Sequence, residues 1–312
     1  TMEAYEGDPA VYLKNRGTKI TNSKAAIDYF PSGIHVDLNG NLSLGFMHDP
    51  SNTIDDGIFW TVPKKDRGWD FENRNTKSYV YHTATEDYFG AKLLKVDDYL
   101  FVGAPDDDRA NKGYGSVQIY QRFAEKWEKI HEIIADSVTR KFGSAIQLQN
   151  DSLYIGSDSS INIFQKGASW ADWTQVEKIV PPDSLFNRTW GFGTHISFSE
   201  SVMATMAIVD NAYSMGIRNT LFIYEKGPGG WEYKQHIILR EAKKIQDVLA
   251  NPIDVLNETI LITDFEACIV EKDDTGNWAI SAKLSDSNRS RFAHSVILTD
   301  SLAYVGAMFA DR

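Results

Sequence analysis

Short apolar segments alternate with polar turns along the whole chain, a pattern that is typical of many short β-strands rather than of long helices. The clearest unit begins at Phe89-Gly90 and contains a two-residue turn at Asp97-Asp98. Its four apolar segments, each separated from the next by turn residues, are residues 89–94, 99–105, 115–120 and 127–130. This order predicts four short strands in an antiparallel meander.

The same order of segments returns along the chain. Phenylalanines begin the unit at positions 30, 89, 142 and 192, so successive copies are 59, 53 and 50 residues apart. A later copy, over residues 260–278, lacks the Phe-Gly start. A four-stranded repeat of this length predicts the blades of a β-propeller.

The last copy contains only half a unit, because residues 292–296 and 302–307 supply two strands. Residues 7–13 and 18–20 match the third and fourth strands, and pairing them with the last copy would remove exposed sheet edges. We therefore predict a single all-β domain over residues 1–312, a six-bladed β-propeller with four antiparallel strands per blade, closed by the N-terminal strands. The predicted blades are approximately residues 28–77, 78–134, 135–180, 181–240, 241–285, and 286–312 together with 1–27.

Three motifs of the clearest unit, Phe89-Gly90, Val102-Gly103-Ala104-Pro105 and Gly115-Ser116-Val117, resemble the FG-GAP repeat of integrin α-subunit propellers. The resemblance implies a binding or adhesion protein at the cell surface or outside the cell. Propellers of that family often hold calcium in an Asp-x-Asp-x-Asp-Gly loop between the first two strands of a blade. The turns at those places are short here, as at Asp97-Asp98, so we expect no metal and no other cofactor, although calcium is the ion that the family suggests.

Charge and hydropathy exclude two classes of partner. Lys and Arg number 32 against 43 Asp and Glu, and the net charge of −11 disfavours nucleic acid. No apolar run approaches the roughly 18 to 20 residues that cross a bilayer, so membrane insertion is not expected. The one cysteine, Cys268, lies in an apolar segment and is expected to be a buried thiol.

The longest loops of the predicted propeller join the second strand to the third, as over residues 208–218, or one blade to the next, and both kinds emerge on the same face. Functional residues concentrate in such loops, so we place the ligand site on this long-loop face. The exposed aromatic side chain of Trp190, in a loop between blades, is the first candidate, because a flat ring buries much area at low entropic cost. The other candidates on this face or near it are Trp60, Asp106, Asp107, Asp108, Arg109, Asp210, Asn211, Tyr213, Asp286 and Arg289. Ordinary turn chemistry and solvated loop charges explain the polar members of this set equally well.

Other tryptophans and the histidines have simpler explanations. Five tryptophans open the predicted fourth strands and are expected to pack in the core: Trp69, Trp127, Trp173, Trp231 and Trp278. His195 and His294 fall on innermost strands, where either a catalytic role or a hydrogen-bonded structural role is open. The sequence has no HExxH, Walker or Gly-x-Ser-x-Gly motif.

The leading hypothesis is a binding module that recognises a glycan or a cell-surface protein through the long-loop face. The first alternative is a polysaccharide lyase or hydrolase that uses His195, His294, Tyr213 or paired carboxylates near the central channel. The second is an architectural propeller inside a larger assembly. Because the loops differ from blade to blade, one composite site for a protein or another specific ligand is favoured over several equal sites.

Overall fold

The computed structural model describes strands and turns, and it contains no helix in the part of the chain that it describes. The described residues are 2–3, 14–15, 33–36, 40–46, 58–66, 69–70, 78–81, 87–108, 114–124, 126–136, 139–182, 185, 189–211, 216–242, 252–264, 266–284 and 295–306. No helix that could span a membrane occurs among them. The chain divides into two compact units, residues 1–138 with 168–172, and residues 139–167 with 173–312.

The first unit contains two four-stranded antiparallel sheets and a short ladder of β1 (Met2–Glu3) with β2 (Lys14–Asn15). In each four-stranded sheet the strands are neighbours in chain order, which is the predicted meander. Sheet 1 consists of β3 (Gly33–Val36), β4 (Leu42–Phe46), β5 (Ile58–Val62) and β6 (Ser78–Tyr81). Sheet 2 consists of β7 (Lys92–Val96), β8 (Tyr99–Ala104), β9 (Ser116–Phe123) and β10 (Lys126–Ile134).

The second unit contains three more meanders and a strand pair. Sheet 3 consists of β11 (Ala145–Gln149), β12 (Ser152–Gly156), β13 (Ile161–Lys166) and β14 (Trp173–Ile179). Sheet 4 has five strands, β15 (Thr189–Trp190), β16 (Ile196–Phe198), β17 (Val202–Asn211), β18 (Gly216–Gly227) and β19 (Gly230–Ala242). Sheet 5 consists of β20 (Ile253–Leu256), β21 (Thr259–Asp264), β22 (Glu266–Lys272) and β23 (Trp278–Leu284), and sheet 6 pairs β24 (Ser295–Leu298) with β25 (Ala303–Gly306).

Each Phe-Gly start that the structure describes forms the same turn before the first long strand of a sheet. In sheet 2, Tyr88 and Gly90 both have positive φ angles, 53° and 87°, on either side of Phe89. Turn hydrogen bonds close all three copies, from the N–H of Ala91, Ser144 and Thr194 to the carbonyl oxygens of Tyr88, Lys141 and Gly191. The phenylalanines Phe89, Phe142 and Phe192 are at most 2% exposed, so the turn anchors each sheet in its core.

Glycines set how closely consecutive sheets approach within each unit. A Cβ atom on Gly45 of β4 would collide with the carbonyl oxygen of Gly90, at the start of sheet 2. In the second unit, a Cβ atom on Gly156 of β12 would collide with the carbonyl oxygen of Gly193, at the start of sheet 4. The second strand of one sheet therefore needs glycine where the Phe-Gly turn of the next sheet packs on it.

Tryptophans near the start of the fourth strands tie sheets 2, 4 and 5 to the sheet that precedes each of them. The indole N–H groups of Trp127, Trp231 and Trp278 donate to Thr61 (3.4 Å), Tyr154 (3.1 Å) and Glu225 (2.9 Å), respectively. All three rings are buried, which confirms their predicted packing role. Trp173 also opens its fourth strand, β14.

Trp69 does not open a fourth strand, contrary to the prediction. It forms an isolated bridge with Lys64, and its indole N–H donates to the carbonyl oxygen of Gly40 (2.9 Å). The fourth strand of sheet 1 is β6, and all four of its residues lie beyond residue 77, the predicted end of that blade. The predicted N-terminal strands at residues 7–13 and 18–20 lie outside the described residues.

The strands that begin the meanders of the second unit are linked by polar side chains. Gln149 of β11 donates to the carbonyl oxygen of Ser199 (3.1 Å), just after β16. Asp254 of β20 accepts hydrogen bonds from Ser197 of β16 (3.3 Å) and from the backbone N–H of Leu298 of β24 (2.7 Å). Successive sheets therefore meet along their first strands as well as through their apolar faces.

The close approach at Gly156 gives the first prediction. Gly156→Ala should lower the free energy of unfolding by about 1–3 kcal/mol, because the added methyl group forces sheets 3 and 4 apart. Thermal and urea denaturation followed by circular dichroism would measure the change. Gly229→Ala is the matched control, since a Cβ there meets no atom within 4 Å and should change stability by no more than about 0.5 kcal/mol. Equal effects of the two substitutions would contradict the packing argument.

Candidate functional site

The structure divides the predicted site residues between the two units. Trp60, Asp106, Asp107 and Asp108 lie in the first unit, and Trp190, Asp210 and Asn211 lie in the second. Four further candidates, Arg109, Tyr213, Asp286 and Arg289, lie outside the described residues, as does His294.

The acidic segment after β8 is partly structural. Asp107 is buried, and its carboxylate accepts a 2.5 Å hydrogen bond from the Ser116 hydroxyl. Its backbone carbonyl accepts the N–H of Gly115, so Asp107 joins the two ends of the loop between β8 and β9. Asp106 is half-buried and Asp108 is exposed, which leaves these two side chains nearer to solvent.

Trp60 lies in β5, between Leu44 of β4 and Tyr79 of β6 in the register of sheet 1. Its partly buried side chain packs against the cluster of Leu42, Leu44 and Val62. These contacts give the ring a packing role within sheet 1.

Trp190 was expected in a loop, but the structure places it in the two-residue strand β15. Thr189 and Trp190 pair with Val209 and Ile208 of β17. This is possible because β17 continues to Asn211 and β18 begins at Gly216, so that most of the predicted loop over residues 208–218 is strand. The extension is stable because Val209 and Ile217 are buried within it.

Asp210 and Asn211, which were also expected in that loop, therefore lie at the end of β17. Asp210 pairs with Ile217 of β18, and Asn211 pairs with Gly216. Side chains two residues apart on a strand, and those directly opposite on the next strand, share a sheet face. Trp190, Ile208 and Asp210 thus lie on one face, and we call these three residues the Trp190 ledge.

The backbone next to the ledge is held by a carboxylate. Asp158, in the turn after β12, accepts the N–H of Gly191 at 2.8 Å, while its own N–H donates to the carbonyl oxygen of Arg140 at 2.9 Å. Ser159 forms a parallel bridge with Phe192. Trp190 is 43% exposed on this fixed backbone. An exposed indole that is held in place loses little entropy when it binds, so the ledge is suited to recognition.

His195 is fixed by the adjoining turn. Its Nδ1 lies 3.2 Å from the Thr194 hydroxyl, and its carbonyl oxygen accepts a hydrogen bond from Thr205. No group of three or more His, Cys, Asp or Glu side chains suited to a metal ion occurs in the described part of the chain.

A charged cleft between sheets 4 and 5 is not predicted by the sequence pattern. The Arg240 Nε of β19 lies 3.3 Å from both carboxylate oxygens of Asp264, at the end of β21. The two residues are 24 positions apart and belong to different repeat units, so no local spacing indicates their contact. A buried carboxylate requires a cationic partner, so the sequence could at most have suggested that Asp264 has one, without indicating which residue it is.

No protein-family model matches the chain, and no curated protein matches it. Among solved structures, the chain is similar to a proposed 6-phosphogluconolactonase from Bacteroides fragilis NCTC 9343, with a TM-score of 0.50 and 10% sequence identity over 84% of this chain and 73% of that one. It is also similar to Sqt1 from Saccharomyces cerevisiae, with a TM-score of 0.48 and 11% identity over 86% of this chain and 66% of that one. At such identities a likeness shows the fold alone.

The sheets and the first of these likenesses support an all-β, propeller-like fold. The resemblance to FG-GAP and integrin propellers is overturned, because no family model matches the chain and the solved structure with a TM-score of 0.50 does not point to that family. The Phe-Gly repeat is real, but it reflects turn geometry and close sheet packing, which unrelated propeller-like chains can share.

The carboxylate clamp gives the second prediction. Asp158→Ala should speed hydrogen exchange of the Gly191 amide about tenfold or more, because a hydrogen bond to a charged acceptor contributes roughly 1.5–3 kcal/mol. Amide exchange measured by NMR would test this. Asp172→Ala is the control, since it removes a carboxylate acceptor from Ala168 instead and should leave Gly191 unchanged. Unchanged exchange at Gly191 in Asp158→Ala would contradict the clamp.

Proposed function

We propose that the chain is a binding module and that it recognises a protein partner through the Trp190 ledge. The observation that carries the proposal is the combination of an exposed indole with a backbone held by Asp158. Tryptophan is enriched among the residues that dominate binding energy at protein interfaces. A propeller-like scaffold suits this role because its rigid sheets present a few variable segments.

The form of the ledge favours a protein over a repeated glycan ligand. The short strand β15 and the long strands β17, β18 and β19 belong to sheet 4, whereas every other described sheet has strands of nine residues or fewer. A repeated lectin would present similar side chains on several blades, and the ledge has no counterpart in the described parts of the other sheets. One composite surface is the form expected for a single partner.

The negative charge of the chain favours a partner with a basic surface. Asp210 lies on the ledge, and the chain carries a net charge of −11. A partner with a basic surface would be attracted over distances of about one Debye length, roughly 8 Å at physiological ionic strength. We infer that the partner presents a basic loop with an apolar tip, the tip resting on the indole.

Substitution of the indole tests the binding proposal. Trp190→Ala should weaken binding to the partner by about tenfold or more, whereas Val176→Ala, which truncates another exposed apolar side chain on β14, should leave it unchanged. Affinity capture from cell-surface and secreted fractions, followed by titration of the captured protein, would measure both variants, with a glycan array in parallel. A partner that binds Trp190→Ala as well as wild type would refute the ledge, and binding only on the glycan array would replace the protein partner with a sugar.

We also propose that the sheets form six blades and that strands from residues 7–13 and 18–20 complete sheet 6. Two observations support this: sheet 6 has two described strands where sheets 1 to 5 have four or more, and the repeat pattern places the missing pair near the N-terminus. An unpaired strand edge invites aggregation, so completing the sheet would protect it.

Removal of residues 1–27 tests the closure. The truncated chain should melt at a lower temperature and aggregate, and adding a peptide of residues 1–27 should restore the melting temperature in a concentration-dependent way. Differential scanning calorimetry with light scattering would follow both effects. A truncated chain as stable as the full one would exclude this closure.

A further inference from the structure

A cavity of about 420 Å³ opens between sheets 4 and 5, separate from the Trp190 ledge. Its volume falls within the range of small-molecule sites. The residues that line it come from four strands or their ends: Leu239, Arg240, Asp264, Glu266, Cys268 and Lys283. Two carboxylates, two cations and two apolar groups thus meet in one space.

The inner charges of the cavity are already compensated. The Asp264 side chain is 4% exposed, and a carboxylate buried to that extent requires a cationic partner. Arg240 supplies it, with Nε shared between the two oxygens at 3.3 Å. This pair belongs to the frame of the cavity and keeps its electrostatic field close to neutral.

The ion pair at the rim of the cavity, Lys283 with Glu266, is more exposed than the inner pair. Lys283 Nζ and Glu266 Oε2 are 3.7 Å apart, and both side chains are about half exposed, 53% and 43%. Exposed ion pairs at such distances contribute little to stability and separate readily. A ligand that carries both charges could therefore replace the pair, with its cation at Glu266 and its anion at Lys283.

The remaining wall is apolar. Leu239 is half-buried, and Cys268 is 4% exposed. Burial raises the pKa of the Cys268 thiol, so the group stays neutral and behaves as a small apolar surface. An aliphatic side chain is the complement to these two residues.

From this arrangement we propose that the cavity binds a small aliphatic zwitterion of the α-amino-acid type. The ammonium group contacts Glu266, the carboxylate contacts Lys283, and the side chain lies against Leu239 and Cys268. The site uses none of the ledge residues, so this activity is independent of the binding function proposed above.

Isothermal titration calorimetry provides the measurement. Three leucine-based probes separate the charges: L-leucine carries both, L-leucinamide only the cation, and N-acetyl-L-leucine only the anion. Leucine should give a saturable calorimetric binding curve. Each singly charged probe should bind about tenfold more weakly, because it loses one of the two charge contacts.

Substitutions of the two rim residues test which charge of the ligand each residue contacts. Glu266→Gln should weaken leucine and leucinamide but not N-acetyl-leucine, and Lys283→Gln should weaken leucine and N-acetyl-leucine but not leucinamide. Glu232→Gln with Lys234→Gln is the matched control, because it removes another exposed ion pair from β19 and should leave all three probes unaffected. Equal binding of the three probes would overturn the charge assignment, and the absence of any binding heat from leucine would overturn the site.

Discussion

The contact of a glycine on one sheet with the Phe-Gly turn of the next is the constraint on which the rest of the structure depends. It occurs between Gly45 and Gly90 in the first unit and between Gly156 and Gly193 in the second. Because a methyl group would not fit at Gly45 or Gly156, the sheets lie close enough for their apolar faces to pack against each other. The indole hydrogen bonds of Trp127 and Trp231, on the fourth strands, fix another part of the same two interfaces. Close contact in one part and directional bonds in another leave little freedom for a sheet to rotate on its neighbour.

Sheet 4 departs from this plan: it carries the Trp190 ledge and supplies one wall of the cavity. Its strands β17, β18 and β19 have 10, 12 and 13 residues, respectively, and the added length carries the Trp190 ledge on β15 and β17. The same extension brings Arg240 of β19 to Asp264 of sheet 5 and forms one wall of the cavity. Where a strand extends beyond the strands of the neighbouring sheets, its side chains contact other groups. Here they are a short edge strand on one side and charged groups of the next sheet on the other.

The two proposed sites would bind their ligands through different interactions. The ledge offers an exposed aromatic surface with a carboxylate, and a ligand gains from burying the indole there. The cavity offers opposite charges on an apolar wall, and a ligand gains by matching both signs at once. A broad surface suits a macromolecule, whereas a space of about 420 Å³ suits a small molecule. Both lie in the second compact unit.

The sequence by itself determined the strands, the meander order and the repeated Phe-Gly turns, because these depend on alternation, turn residues and glycine at positive φ, all of which are local. It also identified the buried tryptophans at 127, 231 and 278. It did not determine family, since the Phe-Gly repeat reflects packing that unrelated chains share. Only the tertiary structure decided that residues 208–211 extend a strand, that Trp190 pairs with Ile208, and that Arg240 meets Asp264. Those contacts join residues of different segments, and their stability comes from burial and charge pairing between segments, which no local pattern encodes.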